Sequence, residues 1–134
     1  MMNEIHYLTA SQIPRSMIVP GNSFREIEVR NTKVVMEPAK FEYKLGWCTP
    51  PVKVGENEYL VIVHGVDREI EGYRAFAALL RYDKDTGLRP IAVTPYYILE
   101  PRMMYEVYGD RPFVVFPCGL ARVSKNELLI VYGA

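Results

Sequence analysis

The chain has 134 residues, 49% of them hydrophobic, with 16 basic and 16 acidic side chains and a formal net charge of zero. That is the size of one ordinary domain, and the zero balance excludes a protein built to grip a phosphate backbone, which needs a surplus of Lys and Arg. The longest apolar runs, Tyr59 to Val63 and Ala75 to Leu80, fall far short of the roughly 18 residues of a membrane span, so neither nucleic acid nor a bilayer is an expected partner.

Taken in chain order, short runs rich in Val, Ile, Leu and Tyr alternate with turn chemistry. Ser16 to Val19 reads as a strand, closed by the turn Pro20-Gly21-Asn22-Ser23, and is followed by strands over Glu26 to Arg30 and Lys33 to Met36. Gly55-Glu56-Asn57 is a turn that leads into the strand Tyr59 to His64. Tyr73 to Tyr82 is rich in Ala, Leu and Arg, which favour helix by propensity, but both of its alternating residue sets are mostly apolar and a turn closes it after ten residues. It is expected to be a strand covered on both faces. Asp83-Lys84-Asp85-Thr86-Gly87 turns into Leu88 to Thr94, Gly109-Asp110-Arg111-Pro112 into Phe113 to Phe116, and Ser124-Lys125-Asn126 into Leu128 to Tyr132. The start Met-Met-Asn-Glu has no basic and apolar leader, so a cytoplasmic address is expected, with Cys48 and Cys118 as free thiols; a pairing between them stays open.

The chain also resembles itself. Val34-Val35-Met36-Glu37-Pro38 followed by Phe41-Glu42-Tyr43 is echoed by Ile98-Leu99-Glu100-Pro101 followed by Tyr105-Glu106, with Glu37 and Glu100 63 residues apart. Asn57-Glu58-Tyr59-Leu60-Val61-Ile62-Val63-His64-Gly65 is echoed by Asn126-Glu127-Leu128-Leu129-Ile130-Val131-Tyr132-Gly133, with the two Asn 69 residues apart. Thr49-Pro50-Pro51-Val52 and Phe116-Pro117-Cys118-Gly119 precede the two later anchors. A strand repeat of this length fits a propeller blade with one long loop, since blades usually repeat at about 40 to 50 residues. The expected fold is all-β, with antiparallel four-stranded blades. Residues 1–36 end a preceding blade, 37–97 form one blade-length repeat and 98–134 start the next, about two blades of an incomplete ring with open edges.

Lys44-Leu45-Gly46-Trp47-Cys48-Thr49-Pro50-Pro51-Val52, then His64-Gly65-Val66-Asp67, then Tyr73-Arg74-Ala75-Phe76-Ala77-Ala78-Leu79-Leu80 resembles the central signature of glycoside hydrolase family 130, the β-mannoside phosphorylases and related glycosidases. Ile98-Leu99-Glu100-Pro101, Tyr105-Glu106, Val114-Val115-Phe116-Pro117-Cys118-Gly119 and Val131-Tyr132-Gly133-Ala134 are similar to the same family's next blade, so the likeness runs from about Lys33 to Ala134. It implies a five-bladed β-propeller with a sugar site in its central funnel. It also implies inverting phosphorolysis of a β-mannoside, in which inorganic phosphate attacks the anomeric carbon while an acid protonates the leaving oxygen. Phosphate is then a co-substrate, no cofactor is needed, and a β-mannoside or related oligosaccharide is the partner.

Carried over by position, Lys44 matches a phosphate-contacting lysine and His64 a histidine of the funnel that can also meet phosphate. By residue type alone, Lys44 reads as a solvated side chain and His64 as a strand-end histidine satisfied by backbone; for Lys44 the flanking motif reverses that reading. Tyr73 matches a tyrosine of the sugar-phosphate site, although most tyrosines on such strands simply pack. Asp67 is a substrate-binding candidate or a turn cap, and Trp47 a sugar-stacking platform or a core residue. Cys118 reads as packing, His6 as an exposed residue, and the two His and two Cys fall at no metal-ligand spacing.

The family's general-acid Asp and most of its phosphate-binding arginines have no counterpart here, and Arg15 aligns too poorly to stand in for one. No catalytic residue is therefore assigned. The expected state is a phosphorylase-like chain inactive alone, completed by a complementary propeller fragment. The alternative is a non-catalytic β-sheet module that binds carbohydrate or a partner subunit and self-associates as a homo-oligomer.

Overall fold

The computed structural model describes residues 4–18, 20, 21, 26 and 29–134. Its organising element is a five-stranded antiparallel sheet whose central pair, β5 (Glu58–Asp67) and β6 (Tyr73–Asp83), runs in unbroken register from Glu58 opposite Arg81 to Val66 opposite Tyr73. Along β5 one edge is shared by two strands, β3 (Glu42–Trp47) beside its second half and β4 (Val52–Gly55) beside its first. Beyond β6 lies β7 (Gly87–Val93), paired with residues Ala78 to Asp83. Two-stranded sheets flank this unit: β1 (Leu8–Gln12) with β2 (Arg30–Met36), and β8 (Phe116–Arg122) with β9 (Leu128–Gly133).

Strand parity decides what each face buries, because directly opposed residues project to the same side. Leu45, Val61, Val63, Phe76, Ala78 and Leu80 share one face and pack with Leu8 of β1 and Val35 of β2. Ile62, His64, Val66 and Ala75 share the other face, where Phe116 of β8 meets the His64 ring. Both sets of β6 are thus covered, and tertiary burial overrides the helix propensity of its Ala and Leu residues.

The outer strands change partners along one row of the sheet. Pro50 and Pro51 have no N–H to donate, and where β3 gives way to β4 the Thr49 hydroxyl accepts the Ile62 N–H at 3.0 Å while the Cys48 N–H reaches the Ile62 carbonyl at 3.1 Å. Ile62 opposes Ala77, whose N–H is accepted by the Thr94 hydroxyl at 3.1 Å and whose carbonyl accepts the Thr94 N–H at 2.9 Å. Two threonine hydroxyls therefore stand in for strand carbonyls at the two ends of the Ile62–Ala77 row. Beyond it, the β6 edge bearing Tyr73 is held by irregular chain: the Tyr73 N–H donates to Phe113 O at 2.9 Å, and the Ala75 N–H to Leu99 O at 2.8 Å.

The internal repeat has a structural counterpart in two buried glutamates. Glu42 accepts the N–H of Ala39, three residues earlier, and the phenol of Tyr97. Glu106, in the short helix α1 (Met104–Val107), accepts the N–H of Met103, also three residues earlier, that of Arg102, and the phenol of Tyr132. The β4–β5 and β8–β9 hairpins are the second matched pair, turned at Asn57 (φ 56°) in one and through Ser124 to Asn126 in the other.

Several expected boundaries are corrected. Arg15–Met17 is a 3₁₀ turn and not part of a strand from Ser16 to Val19; Ile18 is 70% exposed, so that run has no face to bury, and Val19 lies outside the described residues. Asn22 and Ser23 of the expected turn, and Ile27 and Glu28 of the expected strand, also lie outside them; strand structure begins at Arg30. Phe113 has φ 58°, a left-handed conformation that breaks a ladder, so the strand expected over Phe113 to Phe116 starts only at Phe116 and continues to Arg122. β1, β3, β4 and α1 were not expected as elements. Cys48 and Cys118 are both free. Among the described residues no helix is long and apolar enough to cross a membrane.

Candidate functional site

β3, β5 and β6 bring three of the expected residues to one face. Lys44 opposes Val66, which opposes Tyr73, so the lysine and tyrosine project to the same side across the width of β5. The Lys44 ammonium donates to the Tyr73 phenol oxygen at 3.2 Å and lies 5.4 Å from the centre of its ring. Two pairs further along, and so on the same face, Gly46 opposes His64, and the His64 ring sits over the glycine. A Cβ at position 46 would overlap the imidazole, so the glycine of the Lys-Leu-Gly motif is a space requirement. Tyr73 and Phe116 pack on the imidazole with ring centres 5.2 and 5.1 Å away.

His64 is only 5% exposed. Burial, reinforced by the Lys44 charge, lowers its pKa to about 4, so the ring is neutral at pH 7. Its Nδ1 lies 3.2 Å from Cys48 Sγ, and its Nε2 has no hydrogen-bond partner. Burial pushes the Cys48 thiol up to about 12, which keeps it protonated. A buried polar nitrogen without a protein partner is costly in a folded chain, and a water, an ion or a ligand atom beside it would satisfy it.

The two remaining expected residues go elsewhere. Trp47 is an odd number of positions from Lys44 and opposes Val63, so it lies on the opposite face, where its indole N–H donates to Thr9 O at 2.7 Å. Asp67 is buried at the β5–β6 turn. Its Oδ1 accepts the N–H groups of Glu69 and Ile70 at 3.0 and 2.8 Å, its Oδ2 accepts that of Gly72 at 3.1 Å, and Arg74 stands 3.5 Å away. This is a turn cap with its acceptor capacity largely taken.

Tyr73 also lines a cavity of about 490 Å³ with Tyr43, Glu71, Asp110, Arg111 and Phe113. Burial, then the charge of Glu71, raises the Tyr43 pKa, so its phenol is a neutral donor there. A larger cavity of about 870 Å³, lined by Phe41, Glu42, Phe76, Tyr96 and Tyr97, contains neither Lys44 nor His64. The smaller cavity does not contain Lys44 or His64 either, so the case for the Lys44, His64 and Tyr73 side rests on the convergence of their polar groups on one sheet face. Cys48 and Phe116 are contributors that sequence reasoning missed, since their relation to His64 depends on long-range pairing. Among the described residues no group of three or more His, Cys, Asp or Glu could hold a metal ion.

A sequence profile of glycoside hydrolase family 130, described as beta-1,4-mannooligosaccharide phosphorylase, matches residues 1–134. The chain is 40% identical over 89 residues to a beta-1,2-mannobiose phosphorylase of Thermoanaerobacter sp. (strain X514), covering 66% of this chain and 28% of that protein. It is 32% identical over 92 residues to a beta-1,4-mannooligosaccharide phosphorylase of Ruminococcus albus, covering 67% and 27%. Among solved structures it is similar to the beta-1,2-mannobiose phosphorylase of Listeria innocua in complex with beta-1,2-mannobiose, with a TM-score of 0.65 and 26% identity over 78% of this chain and 29% of that one. The matched part thus spans between a quarter and a third of each relative's length.

Proposed function

The chain belongs to glycoside hydrolase family 130, and from that membership we propose that it supplies the phosphate-binding wall of an inverting β-mannoside phosphorylase, with inorganic phosphate as co-substrate and a mannooligosaccharide as substrate. The observation that carries this reading is the convergence, on one sheet face, of the Lys44 ammonium, the Tyr73 phenol and the buried, unpartnered His64 Nε2. Lys44 supplies charge to the phosphate oxygens and His64 a fixed neutral donor. Tyr73 holds the ammonium and borders the sugar. In the reaction a phosphate oxygen forms a bond to the anomeric carbon, the glycosidic bond breaks, and the leaving oxygen takes a proton, giving mannose 1-phosphate and a shortened glycan.

None of the assembled side chains is suited to donate that proton. His64 is deprotonated at neutral pH and Asp67 is engaged in its turn. We assign the acid to a polypeptide carrying further blades, and read the three sheets as parts of consecutive blades of a five-bladed ring, with boundaries after residues 36 and 97. In this reading the chain is inactive alone. Mixing it with a polypeptide that carries the remaining blades and assaying phosphate-dependent release of mannose 1-phosphate tests the proposal. No turnover from a folded mixture refutes it.

The exposed apolar side chains of β8 and β9, Leu129 and Val131 among them, favour a second reading as a non-catalytic module that binds carbohydrate or a partner subunit through self-association. Light scattering that finds a stable monomer rejects it.

A further inference from the structure

His64 is held on every side except at one atom. Its ring is packed by Tyr73 and Phe116, lies over Gly46, and has Nδ1 3.2 Å from the Cys48 sulfur, whereas Nε2 is buried and makes no hydrogen bond. A neutral imidazole carries one proton, and the partner of one nitrogen decides which nitrogen holds it. A thiol sulfur is a weak acceptor, whereas an unprotonated imidazole nitrogen is a good one, so the favourable arrangement has the S–H donating to Nδ1. The proton of the ring is then on Nε2.

We propose that Cys48 is a positioning residue: its S–H donates to Nδ1 of His64, fixing the Nε2–H tautomer and leaving that N–H as the unpartnered donor for a phosphate oxygen. The donor half of this inference rests on the phosphate reading above; the thiol–imidazole half does not. The protonated state of the thiol at neutral pH agrees with a donating role, since a thiolate would instead pull a proton to Nδ1. The device has a clear structural origin. Cys48 directly follows β3, where Thr49 and Pro50 turn the chain along β5, and its own N–H is tied to Ile62 O at 3.1 Å, which fixes the sulfur beside the residue two along β5 from its backbone partner.

Nitrogen-15 NMR of the histidine rings at pH 7 tests the proposal, with exposed His6 as an internal reference in the same sample. In phosphate-free wild type, His64 Nδ1 is expected to be unprotonated and shifted as a hydrogen-bonded acceptor. Cys48→Ala is expected to move Nδ1 towards the unbonded position, and Cys48→Ser to restore the acceptor shift, with amide fingerprints confirming that both variants fold. A protonated Nδ1 in wild type, or an Nδ1 signal identical in wild type and Cys48→Ala, overturns the assignment without needing either variant to bind anything. Titration with inorganic phosphate is expected to move Nε2, with affinity about fivefold weaker in Cys48→Ala and near wild type in Cys48→Ser. An Nε2 signal indifferent to phosphate, in a protein with the stated tautomer, overturns the donor half together with the phosphate reading and leaves the Cys48 contact standing.

Discussion

Lys44 and Tyr73 stand on strands that do not pair with each other, yet the Lys44 ammonium reaches the Tyr73 phenol oxygen at 3.2 Å across the width of β5. The cation is held on the site face by a neutral partner, so its charge is left available to an incoming anion. Lys44→Met keeps most of the aliphatic stem and removes that charge. Phosphate affinity measured by calorimetry is expected to fall roughly tenfold to a hundredfold, the worth of a charge-assisted hydrogen bond, with little change in the melting temperature. Unchanged affinity refutes the role given to Lys44.

The buried His64 makes stability depend on pH with a definite sign. Its folded pKa is about 4, below the ordinary value of 6.5, so between these values the unfolded chain binds more protons. Stability is fully present above about pH 6.5, declines as pH falls through the window, and levels off for this group below about pH 4. The full loss is roughly 3 kcal/mol. Urea denaturation at several pH values is expected to show the slope in wild type and a clearly smaller one in His64→Gln, the carboxylates being common to both. Equal slopes count against a buried neutral His64.

Gly46 makes room for the imidazole, since a Cβ there would overlap it. Gly46→Ala is expected to destabilise the fold by roughly 1–3 kcal/mol, as overpacking does, and to weaken phosphate binding by displacing the ring. In a double-mutant cycle with His64→Ala most of the stability loss should vanish. Additive thermal shifts in the double variant contradict the steric account.

Glu42 is buried and joins three stretches of chain: it accepts the Ala39 N–H and the Tyr97 phenol, and occupies the space left by the missing side chain of Gly65. The Tyr97 phenol has its pKa raised, by burial first and then by this hydrogen bond, which keeps it a donor throughout the physiological range. Tyr97→Phe is expected to cost about 1–3 kcal/mol, because a buried carboxylate oxygen loses its partner. Glu42→Ala should cost more than Tyr97→Phe, by chemical denaturation, since it removes both hydrogen bonds. The reverse order argues against Glu42 as the common anchor.

The legible parts of the fold are those where burial writes a continuous apolar signal. β5 and β6 are covered on both faces and stand out as runs of Val, Ile, Ala and Leu, and the Asp83 to Gly87 turn is equally plain, with Asp83 capping the N–H groups of Asp85 and Thr86. β3 is obscured because its site face carries Lys44 and Gly46 where a structural strand would carry apolar residues. Lys44, His64 and Tyr73 were found through motif likeness, and strand parity then explains their convergence. The same parity separates Trp47 from Lys44 and Asp67 from His64, each three positions apart on its strand. The thiol at His64 was not legible, because it depends on where β3 yields to β4 beside β5.

The Thr49–Ile62–Ala77–Thr94 row gives the sheet a waist. On one side, β4 pairs with β5 and β7 with β6, each with one register shift; on the other, β3, which carries Lys44, and irregular chain flank the stretches of β5 and β6 that carry His64 and Tyr73. The hydroxyls sit on the two outer edges while the β5–β6 ladder passes through the row unbroken, so both edges change partners at one level without interrupting the central pair. Amide exchange at Ile62 and Ala77, whose N–H groups are held by threonine hydroxyls, would report how firmly that changeover is closed.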